Sequence, residues 1–111
     1  MNGKRVFRFT EEACKDLEWL RINVEEWESI WNELSRLCEV ANIAKDAKVD
    51  RIIQCESKWR RLKIQRPSEI RVFFTTYGQD QDMVVRAVLR RTDRTYDIAE
   101  IFYKARNHRG I

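Results

Sequence analysis

Five basic side chains stand out by their spacing: Arg61 with Lys63, then Arg71, then the adjacent pair Arg90 and Arg91. A two-residue interval puts Arg61 and Lys63 on one face of an extended strand. Neighbouring antiparallel strands would bring them within reach of Arg71 and of the Arg90–Arg91 pair. Like charges facing each other across strands destabilise a sheet, so such a cluster needs a compensating partner. An anionic ligand is the simplest one; the plain alternative is that the side chains splay apart into solvent. The chemistry open to this set is metal-free cleavage of RNA, in which a 2′-hydroxyl attacks the adjacent phosphate in line. Arginines can hold the phosphate by two hydrogen bonds and stabilise the charge that builds on it. Tyr96, Lys104 or His108 would assist the proton transfers.

Other chemistries lack their residues. No Ser or Cys has a His and an acid at a recognisable spacing, so acyl transfer is excluded. There is no P-loop, no GxGxxG and no carboxylate cluster for two metals. The three cysteines Cys14, Cys38 and Cys55 are odd in number and form no CxxC, and His108 is the single histidine. Neither a disulfide framework nor a zinc site follows, and no metal or cofactor is expected. The start, MNGKRVFRFTEE, lacks the apolar run of a signal peptide. No window approaches the ~18 apolar residues of a membrane span. The expectation is a cytoplasmic protein with reduced thiols and no membrane partner.

The chain has 111 residues, one domain's worth, so residues 1–111 are read as a single domain. The charge is uneven. Residues 1–56 hold nine Lys/Arg against twelve Asp/Glu, a net of −3; residues 57–111 hold thirteen against six, a net of +7. A positive half-domain attracts phosphates and releases their counterions.

These cations must be placed by secondary structure. Lys4–Phe9 alternates with period two, Arg5, Phe7 and Phe9 against Lys4, Val6 and Arg8, which predicts a short strand. Thr10 before Glu11 and Glu12 is a helix start, and the helix should run to about Arg21 with Ala13, Leu17 and Leu20 inward. Asn23, with Glu26 three residues on, has the pattern of a capping box. The helix that follows carries the stripe Val24, Trp27, Ile30, Trp31, Leu34, Leu37, Cys38 and Ala41, read as packing on the first helix and the sheet. Segments Asn42–Val49 and Arg51–Glu56 stay open between helix, loop and edge strand. Trp59–Gln65, Ile70–Tyr77 and Met83–Arg91 read as an antiparallel meander, joined by the Arg66–Glu69 turn and the Gly78–Asp82 loop. In its last strand, simple alternation sets Val84, Arg86, Val88 and Arg90 against Val85, Ala87, Leu89 and Arg91. Thr95 or Asp97 can cap a final helix, Ile98–Ala105. The result is an α+β fold of order β-α-α-β-β-β-α, a helical hairpin covering one face of a small sheet and leaving the other to arginines.

Three stretches resemble a known family. VFRFTEEACKDLEWL is similar to the first strand and helix of the RelE/ParE superfamily of bacterial type II toxins. WRRLKIQRPSEIRVFF resembles its L-W-x-L-R and Y-R-V-x-Y segments. LRRTDRTYDIAE resembles the K-K-T-x-K-T segment of the HigB-like branch. The resemblance runs nearly the full length. It implies a RelE-like fold with a twisted antiparallel sheet, metal-independent cleavage of mRNA that inhibits translation, usually on the ribosome, and a cognate antitoxin that wraps the toxin. Matched by position, Arg71 would hold the scissile phosphate, Arg61 and Lys63 are the basic residues of the preceding strand, and Arg90, Arg91 and Arg94 open the basic segment. The implied catalytic set is Arg71, Lys63, Arg91 and His108. The implied RNA-binding residues are Arg61, Arg90 and Arg94, to which Tyr96, Lys104 and Arg106 are added for their own chemistry, and Arg71 is expected to face solvent. The chain departs from the pattern at Ile70, where the family has tyrosine, and at Thr92 and Asp93, where it often has His-Arg. Two other functions remain on the same fold: a ParE-like gyrase inhibitor, which needs no phosphate-holding cluster, and a non-catalytic RNA-binding module such as a decayed toxin.

Overall fold

The computed structural model describes residues 5–51 and 59–91. Strand β1 (Phe7–Phe9) leads into helices α1 (Glu11–Trp19) and α2 (Val24–Leu37), then a short 3-10 turn, Ile43–Lys45. Strands β2 (Val49–Arg51), β3 (Arg60–Ile64), β4 (Ile70–Tyr77) and β5 (Asp82–Arg90) follow. They form one five-stranded sheet in the order β1-β5-β4-β3-β2. The α+β class and the helical pair on a sheet are as expected. Two features are new. The open segment around Val49 is an edge strand, antiparallel to β3, and β1 runs parallel to β5. A parallel pair needs a long crossover, and the two helices with the other strands supply it. The expected final helix, Ile98–Ala105, lies outside the described residues.

The helix ends follow from local chemistry. Thr10 Oγ1 accepts a hydrogen bond from the Ala13 amide at 3.1 Å. In the Asn23–Glu26 capping box, the Glu26 amide donates to Asn23 Oδ1 at 2.8 Å and the Asn23 amide to Glu26 Oε1 at 3.1 Å. Helix α1 stops two residues before Arg21 because that residue takes the left-handed conformation, φ 53°. The Arg21 amide then bonds the Glu18 carbonyl and the Ile22 amide bonds the Leu17 carbonyl, which closes the helix as a Schellman motif.

One apolar layer joins helices and sheet. Ala13, Ile30, Leu34 and Leu37 pack with Leu62, Ile64, Ile70, Val72, Phe74, Met83, Val85 and Val88. Each fully buried aliphatic side chain there contributes about 2 kcal/mol. At the sheet edge the rings of Phe9 and Trp27 (5.5 Å), Trp27 and Trp31 (5.7 Å), and Phe7 and Trp31 (4.8 Å) close the layer. Of the α2 stripe, Ile30, Leu34 and Leu37 are buried, Trp27 and Cys38 are partly buried, and Val24, Trp31 and Ala41 stay exposed.

Strand β5 breaks its own alternation. Phe73 pairs with Ala87, but Phe74 pairs with Val85, so Arg86 is an extra residue at a β-bulge. Before the bulge Met83 and Val85 face the helices; after it Val88 and Arg90 do. The sequence pattern, which grouped Val84 with Val88, is corrected at this point. The face away from α1 and α2 also differs from an open bed of arginines: Trp59, Phe73 and Ala87 on it are buried. No helix among the described residues is long and apolar enough to cross a membrane.

Candidate functional site

Pairing of β3 with β4 sets the site. Lys63 lies directly opposite Arg71, and Arg61 opposite Phe73, on the face away from the helices. Register is strongly specified here, because a one-residue slip would carry Leu62, Ile64 and Val72 out of the core. Two carboxylates make the cationic row tolerable. Asp50, on β2 opposite Arg61, pairs with the Arg61 guanidinium, and its Oδ2 lies 3.2 Å from Lys63 Nζ. Glu69, in the turn before β4, stands 3.6 Å from Arg71 Nη2 and 3.8 Å from Arg91 Nη1. The hydrogen bond from Arg61, then that from Lys63, hold the Asp50 carboxyl below the ordinary carboxylate range.

Arg71 is fixed rather than free to reorient. Its Nη1 donates to the carbonyls of Ile64 (3.3 Å) and Ile70 (3.2 Å), and the residue is 6% exposed. The expectation that it faces solvent is thus wrong: it is buried on the face away from α1 and α2. Arg91 lies half in solvent, and its amide donates to the Glu69 carbonyl at 3.1 Å. Beside Lys63, a groove of about 410 Å³ runs between α2 and β3, with Lys48 and Arg66 adding charge and Ser29 and Glu33 polar lining.

Arg90 does not join this set. The bulge at Arg86 turns it under the helices, where Nη1 donates to Glu26 Oε2 at 2.6 Å and Nη2 to Glu26 Oε1 at 3.1 Å. Nη2 also donates to the Leu20 carbonyl at 3.0 Å, and Ser68 adds a hydrogen bond to Glu26. The Arg90 hydrogen bonds outweigh burial and lower the Glu26 carboxyl to about 2. Arg90 was grouped with Arg91 because they are adjacent in sequence; the sheet separates them. Arg94, Tyr96, Lys104, Arg106 and His108 lie outside the described residues.

Sequence reasoning missed Asp50 and Glu69. Glu69 was visible in its turn, but the role of Asp50 depends on β2, a three-residue strand with too little alternation to read. Chemically, the four cations Arg61, Lys63, Arg71 and Arg91 with two partly exposed carboxylates form an anion-exchange arrangement. A phosphate can take the place of the Asp50 hydrogen bonds and of the looser Glu69 ion pairs without the cations moving far. Among the described residues, no group of three or more His, Cys, Asp or Glu is placed to hold a metal ion.

Among solved structures the chain is similar to the E. coli toxin RelE, in a mutant form in the free state. The TM-score is 0.65 over 98% of this chain and 100% of that chain, at 17% sequence identity. At that identity the likeness establishes the fold, which is RelE-like. By sequence, no family model and no curated protein matches the chain.

Proposed function

We propose that this chain is the toxin of a type II toxin–antitoxin pair: a cytoplasmic, single-domain, metal-independent endonuclease that cleaves mRNA on the ribosome and is neutralised by a cognate antitoxin. The observation that carries the reading is Lys63 facing Arg71 across two strands, with Arg61 and Arg91 beside them and half-exposed carboxylates as their counterions. The RelE-like fold supports it.

In this mechanism a scissile phosphodiester enters beside Glu69 and takes the outward hydrogen bonds of Arg71, whose Nη1 stays anchored on two carbonyls. Lys63 and Arg91 approach from either side and stabilise the charge gathering on the phosphate oxygens as the 2′-hydroxyl gives up its proton and attacks in line, the P–O5′ bond breaks to leave a 2′,3′-cyclic phosphate, and the departing 5′-oxygen takes a proton. Positioning of the strand falls to Arg61 and the Lys48–Lys63–Arg66 groove. Proton transfer is assigned to His108, in a tail where some family members place a catalytic His, and Tyr96 and Lys104 are assigned to the RNA on their chemistry alone. The finer assignment to the HigB-like branch rests on LRRTDRTYDIAE alone.

Expression in growing cells followed by mapping of mRNA 5′ ends tests the reading. New ends within translated codons are expected, and they should vanish in the Lys63→Ala/Arg91→Ala variant, whose side chains are exposed enough to spare the fold. Growth arrest with intact mRNA would overturn it. Broken DNA with trapped gyrase would transfer the chain to the ParE-like reading, and salt-dependent RNA binding without cleavage would mark a non-catalytic module.

A further inference from the structure

A second pair of cations lies elsewhere on the sheet with no carboxylate partner among the described residues. Arg51 on β2 is the direct cross-strand partner of Arg60 on β3. Arg60 in turn pairs with Phe74, so this pair belongs to the opposite face from Arg61, Lys63 and Arg71. The two arginines line a cleft of about 410 Å³ with Trp59, Thr76, Gly78 and Gln81, and none of these residues is acidic. Arg61, Lys63, Arg71, Arg90 and Arg91 each sit within 4.0 Å of a carboxylate; among the described residues Arg51 and Arg60 have no such neighbour. Arg60 Nε is buried and has no hydrogen-bond partner among the described residues. Gly78, at φ 74°, leaves the mouth clear: a Cβ there would meet nothing within 4 Å.

Two guanidinium groups in direct cross-strand register destabilise the sheet unless a negative charge lies between them. A buried N–H without an acceptor adds about 1–3 kcal/mol to that cost. A tetrahedral oxyanion in the cleft offers acceptors to both guanidinium groups at once. The Thr76 hydroxyl and Gln81 amide supply neutral donors of the kind that complete a phosphate shell.

We propose that the Arg51–Arg60 cleft binds a phosphate group, as a second anion site independent of the Lys63–Arg71 centre. From Arg71 to Thr76 is five residues of β4, about 17 Å at the usual rise, so one phosphate cannot serve both. The phosphate could belong to a nucleic-acid strand or be a free anion, and the experiment separates these sources.

Thermal unfolding is measured in the Lys63→Ala/Arg91→Ala background, which weakens the first centre, with inorganic phosphate against chloride at equal ionic strength. Phosphate well above its Kd should raise Tm by at least about 4 °C. Adding Arg51→Gln, a change at an exposed side chain, should abolish most of that rise, and the Gly78 amide resonance should shift with phosphate only when Arg51 is present. A labelled 12-nucleotide RNA gives the second arm. If the site holds a nucleic-acid phosphate, Arg51→Gln in the otherwise unaltered chain lowers affinity several-fold and reduces the salt slope by about 0.7. If it holds a free anion, RNA affinity is unchanged while the phosphate response is lost. A phosphate response no larger than that of chloride, or one equal with and without Arg51, overturns the proposal. Because cleavage is not the readout, failure here leaves the nuclease reading standing, and the reverse.

Discussion

On the helix-covered face, one arginine, Arg90, grips one carboxylate, Glu26, through two hydrogen bonds in a site where Glu26 is 4% exposed. On the opposite face four cations share Asp50 and Glu69, whose side chains are 39% and 50% exposed and whose contacts reach 3.2–3.8 Å for Lys63, Arg71 and Arg91. The groups are the same; their environments differ. A buried pair cannot lose one member without leaving a charge in a low-dielectric site. A half-exposed pair holds its geometry loosely and is screened, so an incoming anion can replace its carboxylate. Burial of the carboxylate side chain, 5% exposed for Glu26 against 39% for Asp50 and 50% for Glu69, thus separates the arginine pair that holds this fold together from the pairs an anion can enter.

The largest effect should come from breaking the buried pair. Glu26→Ala removes the partner of Arg90, the acceptor for Ser68 and half of a capping box. A loss of about 3–5 kcal/mol is expected in urea unfolding. Acid should do the same by titration. The Glu26 carboxyl is lowered from 4.5 to about 2 in the folded protein, so its contribution is complete above pH 4.5 and disappears as pH falls toward 2. That interval corresponds to roughly 3 kcal/mol. Urea midpoints compared at pH 6 and pH 3 should show the drop, and Glu26→Gln should flatten it. A Glu26→Gln protein as acid-sensitive as the unaltered chain would place the sensitivity in other carboxylates.

Next in size is Arg71, which belongs to both classes. Its amidinium edge is exchangeable, but its body is buried and its Nη1 supports two carbonyls. Arg71→Ala should cut mRNA cleavage by about 10²–10³ and also cost about 1–3 kcal/mol of stability, through the acceptors and the cavity left behind. Arg91→Ala, at a half-exposed side chain, should lower cleavage without moving Tm. Equal stability losses for the two variants would erase the distinction between the faces.

How far the sequence foretold this division depended on the length of each signal. Helix α2 was legible because Asn23, Glu26 and a stripe four turns long all agree, and β4 was legible because seven of its eight residues, all but Arg71, are β-branched or aromatic and admit little else. From those elements the cross-strand meeting of Lys63 and Arg71 followed. Three details did not follow. Strand β2 is too short to carry a period. The parallel seat of β1 depends on tertiary packing. The bulge at Arg86 reverses the side of every later residue, and nothing in MVVRAVLR marks it. Arg90 was misplaced through that one extra residue, and with it the boundary between structural and exchangeable arginines.

A smaller effect tests the exchange itself. If Glu69 holds a phosphate's place, Glu69→Gln should raise RNA affinity, by about threefold given the modest worth of a half-exposed pair. Anisotropy titrations at two salt concentrations would show it, with the gain larger at low salt. A fall in affinity would mean that Glu69 orients Arg71 and Arg91 for RNA instead of competing with it.

The smallest change sharpens the contrast from the structural side. Arg21 adopts φ 53°, a conformation that costs a residue with a Cβ about 1 kcal/mol relative to glycine. It closes α1 one residue after Leu20, whose carbonyl receives Arg90. Arg21→Gly should therefore firm the helix end that anchors the buried pair, raising stability by about 0.5–1 kcal/mol. Its side chain has no ion pair among the described residues, and the candidate phosphate site lies across the sheet. Cleavage and RNA affinity should stay constant while the urea midpoint rises. If cleavage changed as well, the two faces would be coupled through Arg90 and the following Arg91, and burial alone would no longer account for their separate roles.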